Sequence, residues 1–326
     1  GFPAAEYLLK DWDVISIIAA RNVFAFILIF FIWVVIEGLR EVRAAKWIKG
    51  FWIGATGFGV GSFFILTLQS LTSPVIAALT VATMPVAAIS LEMFLDGRKM
   101  TRWFFFGVVL VLFGGFVASG ATFENDGIGF AAFFGITGVV LFAWGSRATV
   151  KNLPGMSILG KTAVTTSGMA GTAVIVYFIC SIFFEITESE SSITLKHLGL
   201  LLIYAWIAIG ISQIFWIKSV SQLGIGLASF HLNATPFYVM FILFILGNSW
   251  VWSQAIGAAI VIIGVILAQQ KSAKKQTELK HNMKPTIGKI EAKEKGKSKA
   301  NQLFRTTGWR PVSFFGEGLA KRKARR

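Results

Sequence analysis

The chain has 326 residues, of which 55% are hydrophobic and 14% charged, and its mean hydropathy is +0.69. This composition excludes an ordinary soluble domain and predicts an all-α polytopic membrane protein. The net charge of +15 does not indicate nucleic-acid binding, because residues 271–326 hold 17 Lys/Arg and 4 Asp/Glu; that segment carries +13 and leaves +2 for the rest.

Nine apolar segments follow a charged lead-in over residues 1–13, and most reach the roughly 20 residues that cross a bilayer. We place them at 14–36, 50–70, 74–94, 103–119, 128–150, 158–184, 198–220, 224–246 and 251–269. Eleven Lys/Arg fall in one set of alternate loops and two in the other, before the tail. The positive-inside rule makes the first set cytoplasmic, which places the C-terminus inside and Gly1 outside.

The sequence also contains an internal repeat. Pro85 and Pro236 are 151 residues apart in similar sequence contexts. Two pairs of glycines are 150 residues apart, Gly107 with Gly257 and Gly114 with Gly264. Segment 128–150 then lacks a counterpart, so we expect a further helix before Gly1 and two repeats of five spans. When a repeat has an odd number of membrane spans, its second copy enters the membrane from the opposite side. Two repeats of five spans therefore predict inverted topology.

The predicted organisation is a first repeat over 1–120, a second over 121–270 and a basic, disordered cytoplasmic tail over 271–326. The tail is either solvated or in contact with anionic lipid.

Each repeat has one span with polar residues and a proline. Pro85 and Pro236 each remove a helix hydrogen bond and are predicted to kink their helices. Polar groups inside an apolar span are costly. The polar side chains of these two helices are therefore predicted to face a central cavity, together with at least one of two residues in segment 198–220. The first group is Thr83, His231, Asn233 and Tyr238; the second is Gln213 and Trp216, which are three residues apart and share a helix face. Other polar or aromatic residues in spans are Gln69, Thr80, Trp144, Tyr177 and Tyr204.

Two of the ionisable residues inside spans, Arg21 and His231, have more than one interpretation. Arg21 lies roughly 10 Å deep at 1.5 Å per residue; it can snorkel outward, cap helix carbonyls, or bind a carboxylate or phosphate. His231, the one histidine inside a predicted span, is a packing residue, a cavity-lining residue or a proton relay. Glu92 lies near the cytoplasmic end of its span, where an interfacial ion pair is expected.

With these features, the chain resembles the EamA-like members of the drug/metabolite transporter superfamily. The resemblance depends on small residues followed by Thr-Met-Pro85 or Ala-Thr-Pro236, and on Arg21 within Ala-Ala-Arg-Asn-Val-Phe-Ala. It covers about residues 1–270 and implies ten helices with both termini cytoplasmic, the first of which is absent here. Many members have Gly-Glu in the turn after each proline-bearing helix, where this chain has Asp96-Gly97 and Gly247-Asn248.

The resemblance implies a secondary transporter in the cell membrane, working by alternating access as an exporter, facilitator or exchanger. Phosphate-ester exchangers would need several cations in the cavity, whereas this chain offers Arg21 and, near the cytoplasmic mouth, Lys218. We therefore expect a small neutral or zwitterionic metabolite such as an amino acid, with proton-coupled antiport through His231 as the alternative. The other functions considered are an intramembrane enzyme, for which the sequence has no nucleophile–base pair or metal cluster, and a lipid-binding scaffold. We expect no cofactor, no metal and no nucleic-acid partner; the chain acts as a monomer or homodimer in the lipid bilayer.

Overall fold

A computed structural model describes residues 1–97, 101–119, 128–183 and 194–269, and most residues in these ranges are helical. The helices are α1 (Phe2–Leu8), α2 (Val14–Ala44), α3 (Trp47–Leu71), α4 (Pro74–Asp96), α5 (Arg102–Ser119), α6 (Ile128–Asn152), α7 (Ile158–Phe183), α8 (Leu195–Leu223), α9 (Ile225–Ile245) and α10 (Trp252–Gln269). Eight of them are long and apolar enough to cross a membrane, and α5 is a shorter apolar helix. The prediction of an all-α polytopic membrane protein with nine apolar helices is confirmed. The predicted tail, residues 271–326, lies outside the described residues.

The beginning of the chain differs from the prediction. The lead-in contains helix α1, whose Ala5 and Leu8 are fully buried. Pro3 suits the first turn of a helix because its missing N–H would have no intrahelical partner there. Helix α2 begins where Asp13 accepts hydrogen bonds from two backbone N–H groups, and its helical geometry is interrupted at Gly38 (φ +83°), close to the predicted end of the span at residue 36. Beyond this kink a charged helical stretch continues to Ala44, which the hydropathy of the span did not predict.

Two pairs of irregularities recur in the chain. Helix α3 contains a π-helical stretch over Gly54–Val60, and α8 contains one over Ile203–Ile211, which covers the same positions 150 residues later. Helix α4 is interrupted at Thr83, and α9 passes through a 3-10 turn over Ser229–Ala234. Pro85 and Pro236 follow these interruptions directly, as expected for a residue that removes a backbone donor and clashes with the preceding turn.

Helices α5 and α10 cross through their glycines in opposite directions. A Cβ on Gly107 would lie 2.5 Å from the carbonyl oxygen of Gly264, and a Cβ on Gly257 would lie 2.6 Å from that of Gly114. The two contacts are equivalent, because Gly257 corresponds to Gly107 and Gly264 corresponds to Gly114 at the offset of 150 residues. A contact that maps onto itself in this way indicates a two-fold axis, as in isologous interfaces. Because the helices run antiparallel, the axis is perpendicular to them and lies in the membrane plane.

Helices α4 and α9 pack in the same reciprocal manner. The first half of α4, Pro74–Ala82, contacts the last part of α9, Thr235–Ile245, while the second half of α4 contacts the start of α9. Buried apolar residues of α4, α5, α9 and α10 form one cluster around this crossing, among them Val75, Leu79, Val111, Val239, Leu243 and Val261. The four helices therefore form one packed unit.

Ion pairs join α4 to α6. Asp96 at the end of α4 forms ion pairs with Arg147 and Lys151 of α6, at 2.5 and 3.4 Å.

Candidate functional site

A cavity of about 700 Å³ lies between the helices of the two halves. Its walls come from α1, α2, α3 and α4 on one side and from α6, α8 and α9 on the other. Most of the lining is apolar, and the polar groups are few, which is typical of small-molecule sites. Polar or ionisable side chains in the lining are Arg21, Ser62, Gln69, Tyr204, Ser212, Gln213, Trp216, Ser219, His231, Thr235 and Tyr238.

The two halves present corresponding faces to this cavity. The lining residues of α3 all have counterparts 150 residues later in α8 that also line the cavity. The pairs are Ser62 with Ser212, Ile65 with Phe215, Leu66 with Trp216, and Gln69 with Ser219. Val81 and Met84 of α4 likewise correspond, at an offset of 151, to Leu232 and Thr235 of α9. The cavity therefore lies at the two-fold axis that the glycine contacts indicate.

Arg21 is held in the cavity wall by two neighbours. Its side chain is 98% buried, since its relative exposure is 2%. Nε donates a hydrogen bond to Asn22 Oδ1 at 3.1 Å, and Nη1 donates to the hydroxyl of Tyr204 at 2.5 Å. The guanidinium also lies over the Tyr204 ring, 4.8 Å from its centroid. Asn22 is fixed in turn by the carbonyl of Met169, 3.3 Å from its Nδ2.

Three buried polar atoms in the cavity wall have no hydrogen-bond partner in the described structure. They are Nη2 of Arg21, Oε1 of Gln69 and Nε2 of Gln213. A buried polar group without a partner costs about 1–3 kcal/mol, and more if it is charged. Three of them around one cavity indicate that a polar ligand or water completes the site.

An aromatic group forms another part of the wall. The indole Nε1 of Trp216 donates to Ser146 Oγ at 2.9 Å, which fixes the ring, and Phe142 and His231 lie at centroid distances of 6.4 and 6.0 Å. Nδ1 of His231 lies 2.5 Å from the carbonyl oxygen of Ala228, so Nδ1 carries a hydrogen and donates it. Nε2 is the nitrogen left to interact with a ligand.

Five of the predicted site residues line the cavity together: Arg21, Gln213, Trp216, His231 and Tyr238. Thr83 and Asn233 do not line it. The hydroxyl of Thr83 donates to the carbonyl of Thr80 at the interruption of α4, and Asn233 is 95% buried with neither amide atom hydrogen-bonded. Asn233 and His231 are two residues apart, a spacing that does not place both on one helix face, so they point in different directions.

Other lining residues were not in the predicted set. Gln69 and Tyr204 are polar groups in apolar spans, a signal that the sequence contained without indicating which face they occupy. Ser62 and Phe142 gave no separate signal. Pro85 and Pro236 do not line the cavity but lie at the interruptions of α4 and α9 beside it.

The described residues form a bundle of apolar helices around a sparsely polar cavity, which is consistent with a polytopic membrane protein, and the comparisons indicate a membrane transporter. Residues 1–120 match the EamA-like transporter family, which confirms the resemblance found in the sequence. An uncharacterized transporter of Bacillus subtilis (strain 168), YyaM, is 25% identical over 276 residues, covering 82% of this chain and 88% of the relative. A solved crystal structure shares the fold with a TM-score of 0.60 at 17% identity, covering 83% of this chain and 92% of that one.

Proposed function

We propose that this protein is a secondary transporter that carries a small neutral or zwitterionic metabolite, such as an amino acid, by alternating access. The observation that carries the proposal is the cavity of about 700 Å³ at the two-fold axis, to which α3 and α8 present corresponding faces. A binding site between inverted repeats can open to either side when one half rocks against the other.

The interrupted helices supply the places where such a movement can occur. Helices α4 and α9 both border the cavity and both lose regular hydrogen bonding beside a proline, at Pro85 and Pro236. The π-helical stretches of α3 and α8 add two more departures from regular geometry, and such stretches are frequent at functional sites. The proposal predicts that substrate binding changes the geometry of these four helices.

Facilitated transport or exchange is the mode of transport we propose. Carboxylates are absent from the described cavity lining, and so are the clusters of carboxylate and hydroxyl oxygens that Na⁺ coupling usually requires. The alternative is proton-coupled antiport through His231, which lines the cavity with one ring nitrogen free.

The test uses the full chain in proteoliposomes. Counterflow of a labelled substrate, identified from a mixture of amino acids and related metabolites, is measured with and without a pH gradient. For a facilitator or exchanger we expect counterflow without a gradient, in the wild type and in His231→Gln alike. Concentrative uptake that needs the gradient and disappears in His231→Gln would establish the antiporter instead. No counterflow with any metabolite would reject the transport proposal.

We also propose a location in the cell membrane, specifically a bacterial inner membrane, with the C-terminus in the cytoplasm. The distribution of Lys and Arg among the loops supports this orientation. A reporter that is active on one side of the membrane, fused after Arg326, tests it. Alkaline phosphatase activity of that fusion, which requires export, would contradict the proposed orientation.

A further inference from the structure

We propose that Arg21 binds the anionic group of the substrate and that the cavity selects organic monoanions, or zwitterions through their carboxylate, over neutral and cationic analogues. This inference depends on the proposed transport function and narrows its substrate class: it retains the zwitterions, excludes neutral metabolites and adds organic monoanions. It is argued from the burial of Arg21, its hydrogen bonds and the charges of the cavity lining.

The first argument is that the charge of Arg21 has no counter-charge. The guanidinium is 98% buried and forms no ion pair with any carboxylate in the described part of the chain. Glu6 is hydrogen-bonded to Gln69 at 3.4 Å, but it does not line the cavity and makes no ion pair with Arg21. A buried charge without a partner is strongly destabilising. A ligand anion would supply the missing charge.

The second argument is that the hydrogen-bond donors around Arg21 are arranged for an acceptor. Nη2 of Arg21 has no acceptor, and Tyr204 accepts a bond from Nη1, which leaves its own O–H available to donate. Nε2 of Gln213 also has no partner, but it lies roughly 13 Å further along α8 than Tyr204 and would meet a different part of the substrate. A guanidinium with adjacent donors fits a planar carboxylate well, because the N–H groups of Arg form a rigid fork.

The third argument concerns how much negative charge the cavity can hold. Arg21 is the one charged side chain in the described lining, and Lys218 on α8 is exposed and outside it. The α-amino group of Gly1 also lines the cavity, but burial and the charge of Arg21 lower its pKa to about 6, so it is mostly neutral at pH 7. One carboxylate neutralises one guanidinium, whereas a phosphate dianion would leave a net negative charge in a cavity of low dielectric constant. An amine without a carboxylate would add a second positive charge. The lining therefore favours the single negative charge.

The rest of the substrate is expected to be apolar. Ile65, Met84, Phe142, Ile209 and Trp216 supply most of the neighbouring wall. The described lining has no carboxylate that could receive a substrate ammonium, so aromatic faces and backbone carbonyls are left to do so. A carboxylic acid without an amine should consequently bind at least as well as the corresponding amino acid.

The alternative is that Arg21 only ties α2 to α8 through Tyr204. That role would make Arg21 necessary for stability but would give it no preference among ligands. The two interpretations are therefore separated by the ratio of affinities for charged and neutral ligands of the same shape.

The experiment measures the binding of four probes with the same phenyl body to the full chain in lipid nanodiscs. They are 3-phenylpropanoate, L-phenylalanine, the neutral 3-phenylpropanamide and the cationic 2-phenylethylamine. Titration calorimetry gives the affinities, and quenching of tryptophan fluorescence confirms them, since Trp216 lines the cavity. We expect both carboxylates to bind at least tenfold more tightly than the amide, and the amine to bind most weakly. Phenyl phosphate, as a fifth probe, should bind no more tightly than 3-phenylpropanoate.

Substitutions assign the preference to the guanidinium. Arg21→Gln should weaken carboxylate binding by about 10- to 100-fold and leave amide binding within about threefold, since it removes a charge-assisted hydrogen bond. Arg21→Lys should retain part of the preference. If Arg21→Gln does not fold, Tyr204→Phe removes the neighbouring donor while keeping the ring, and a severalfold lower ratio is expected. The control is Arg147→Gln, which removes an equal charge outside the cavity and should leave the ratio unchanged.

Four results would overturn the proposal: an unchanged acid-to-amide ratio in folded Arg21→Gln, wild-type preference for the amide or amine, tenfold tighter binding of phenyl phosphate, or no binding of any probe. A failure of the transport proposal is recognised separately, because counterflow is measured in proteoliposomes and the acid-to-amide ratio needs no transport.

Discussion

Replacement of Gly114 by alanine tests the crossing of α5 and α10. The added Cβ would lie 2.8 Å from both the Gly257 carbonyl oxygen and the Val261 backbone nitrogen. An ordinary contact begins near 3.4 Å, so the two helices would have to separate by about 0.6 Å, and overpacking of this kind costs about 1–3 kcal/mol. The adjacent Gly115 is a matched control, because a Cβ there meets no atom within 4 Å. Both substitutions gain the same helix propensity, up to about 1 kcal/mol.

The difference between the two variants therefore isolates the clash. Reversible unfolding of the full chain in mixed micelles should show Gly114→Ala less stable than Gly115→Ala by about 1–3 kcal/mol. The two-fold relation adds a second requirement, since Gly264 meets Gly107 O at 2.7 Å and Val111 N at 2.9 Å. Gly264→Ala should consequently cost about as much as Gly114→Ala. Equal stability of Gly114→Ala and Gly115→Ala would refute the close crossing, and unequal costs at positions 114 and 264 would refute its symmetry.

Two further predictions concern stability and use the same unfolding measurement. Asn233→Leu should stabilise the protein by about 1–3 kcal/mol, because it removes a buried amide with no partner in the described structure; Asn22→Leu, which removes the bond to the Met169 carbonyl, should destabilise it. Destabilisation by both variants would show that Asn233 has a partner. The 2.9 Å contact of His197 with Asp11, which is 41% exposed, should contribute about 0.2–1 kcal/mol of coupling energy, apart from the loss of the packing of His197 on Trp12 in His197→Ala. Asp11→Asn should then cost little in the His197→Ala background, and additive losses would exclude the coupling.

The helical frame could be predicted from the sequence because apolar length and glycine or proline position determine it. The apolar runs predicted nine spans, and Pro85 and Pro236 marked the interruptions of α4 and α9. Helix α1 could not be predicted in this way, since Ala5 and Leu8 are buried by tertiary contacts and seven residues are too short for a periodic signal.

The facing of individual side chains was harder to predict. Most of these helices are apolar all round, so no polar stripe indicates which face meets the cavity. His231 and Asn233 are two residues apart, and residues with that spacing do not share a helix face; one of them had to point elsewhere. Tyr204 contacts Arg21 from 183 positions away in the chain, and only the packing of α2 against α8 brings them together.

The corresponding lining positions of α3 and α8 have a consequence for the resting state of the transporter. If the halves exchange conformations when access changes from one side to the other, the two end states share a backbone frame. Their chemistry differs, because Leu66 of α3 corresponds to Trp216 of α8 and Arg21 has no charged counterpart in the described lining. The guanidinium of Arg21 would therefore be exposed to water to a different extent in each end state. If the proposed alternating access is correct, the empty carrier would favour one side of the membrane, and binding of an anion at Arg21 would reduce that preference.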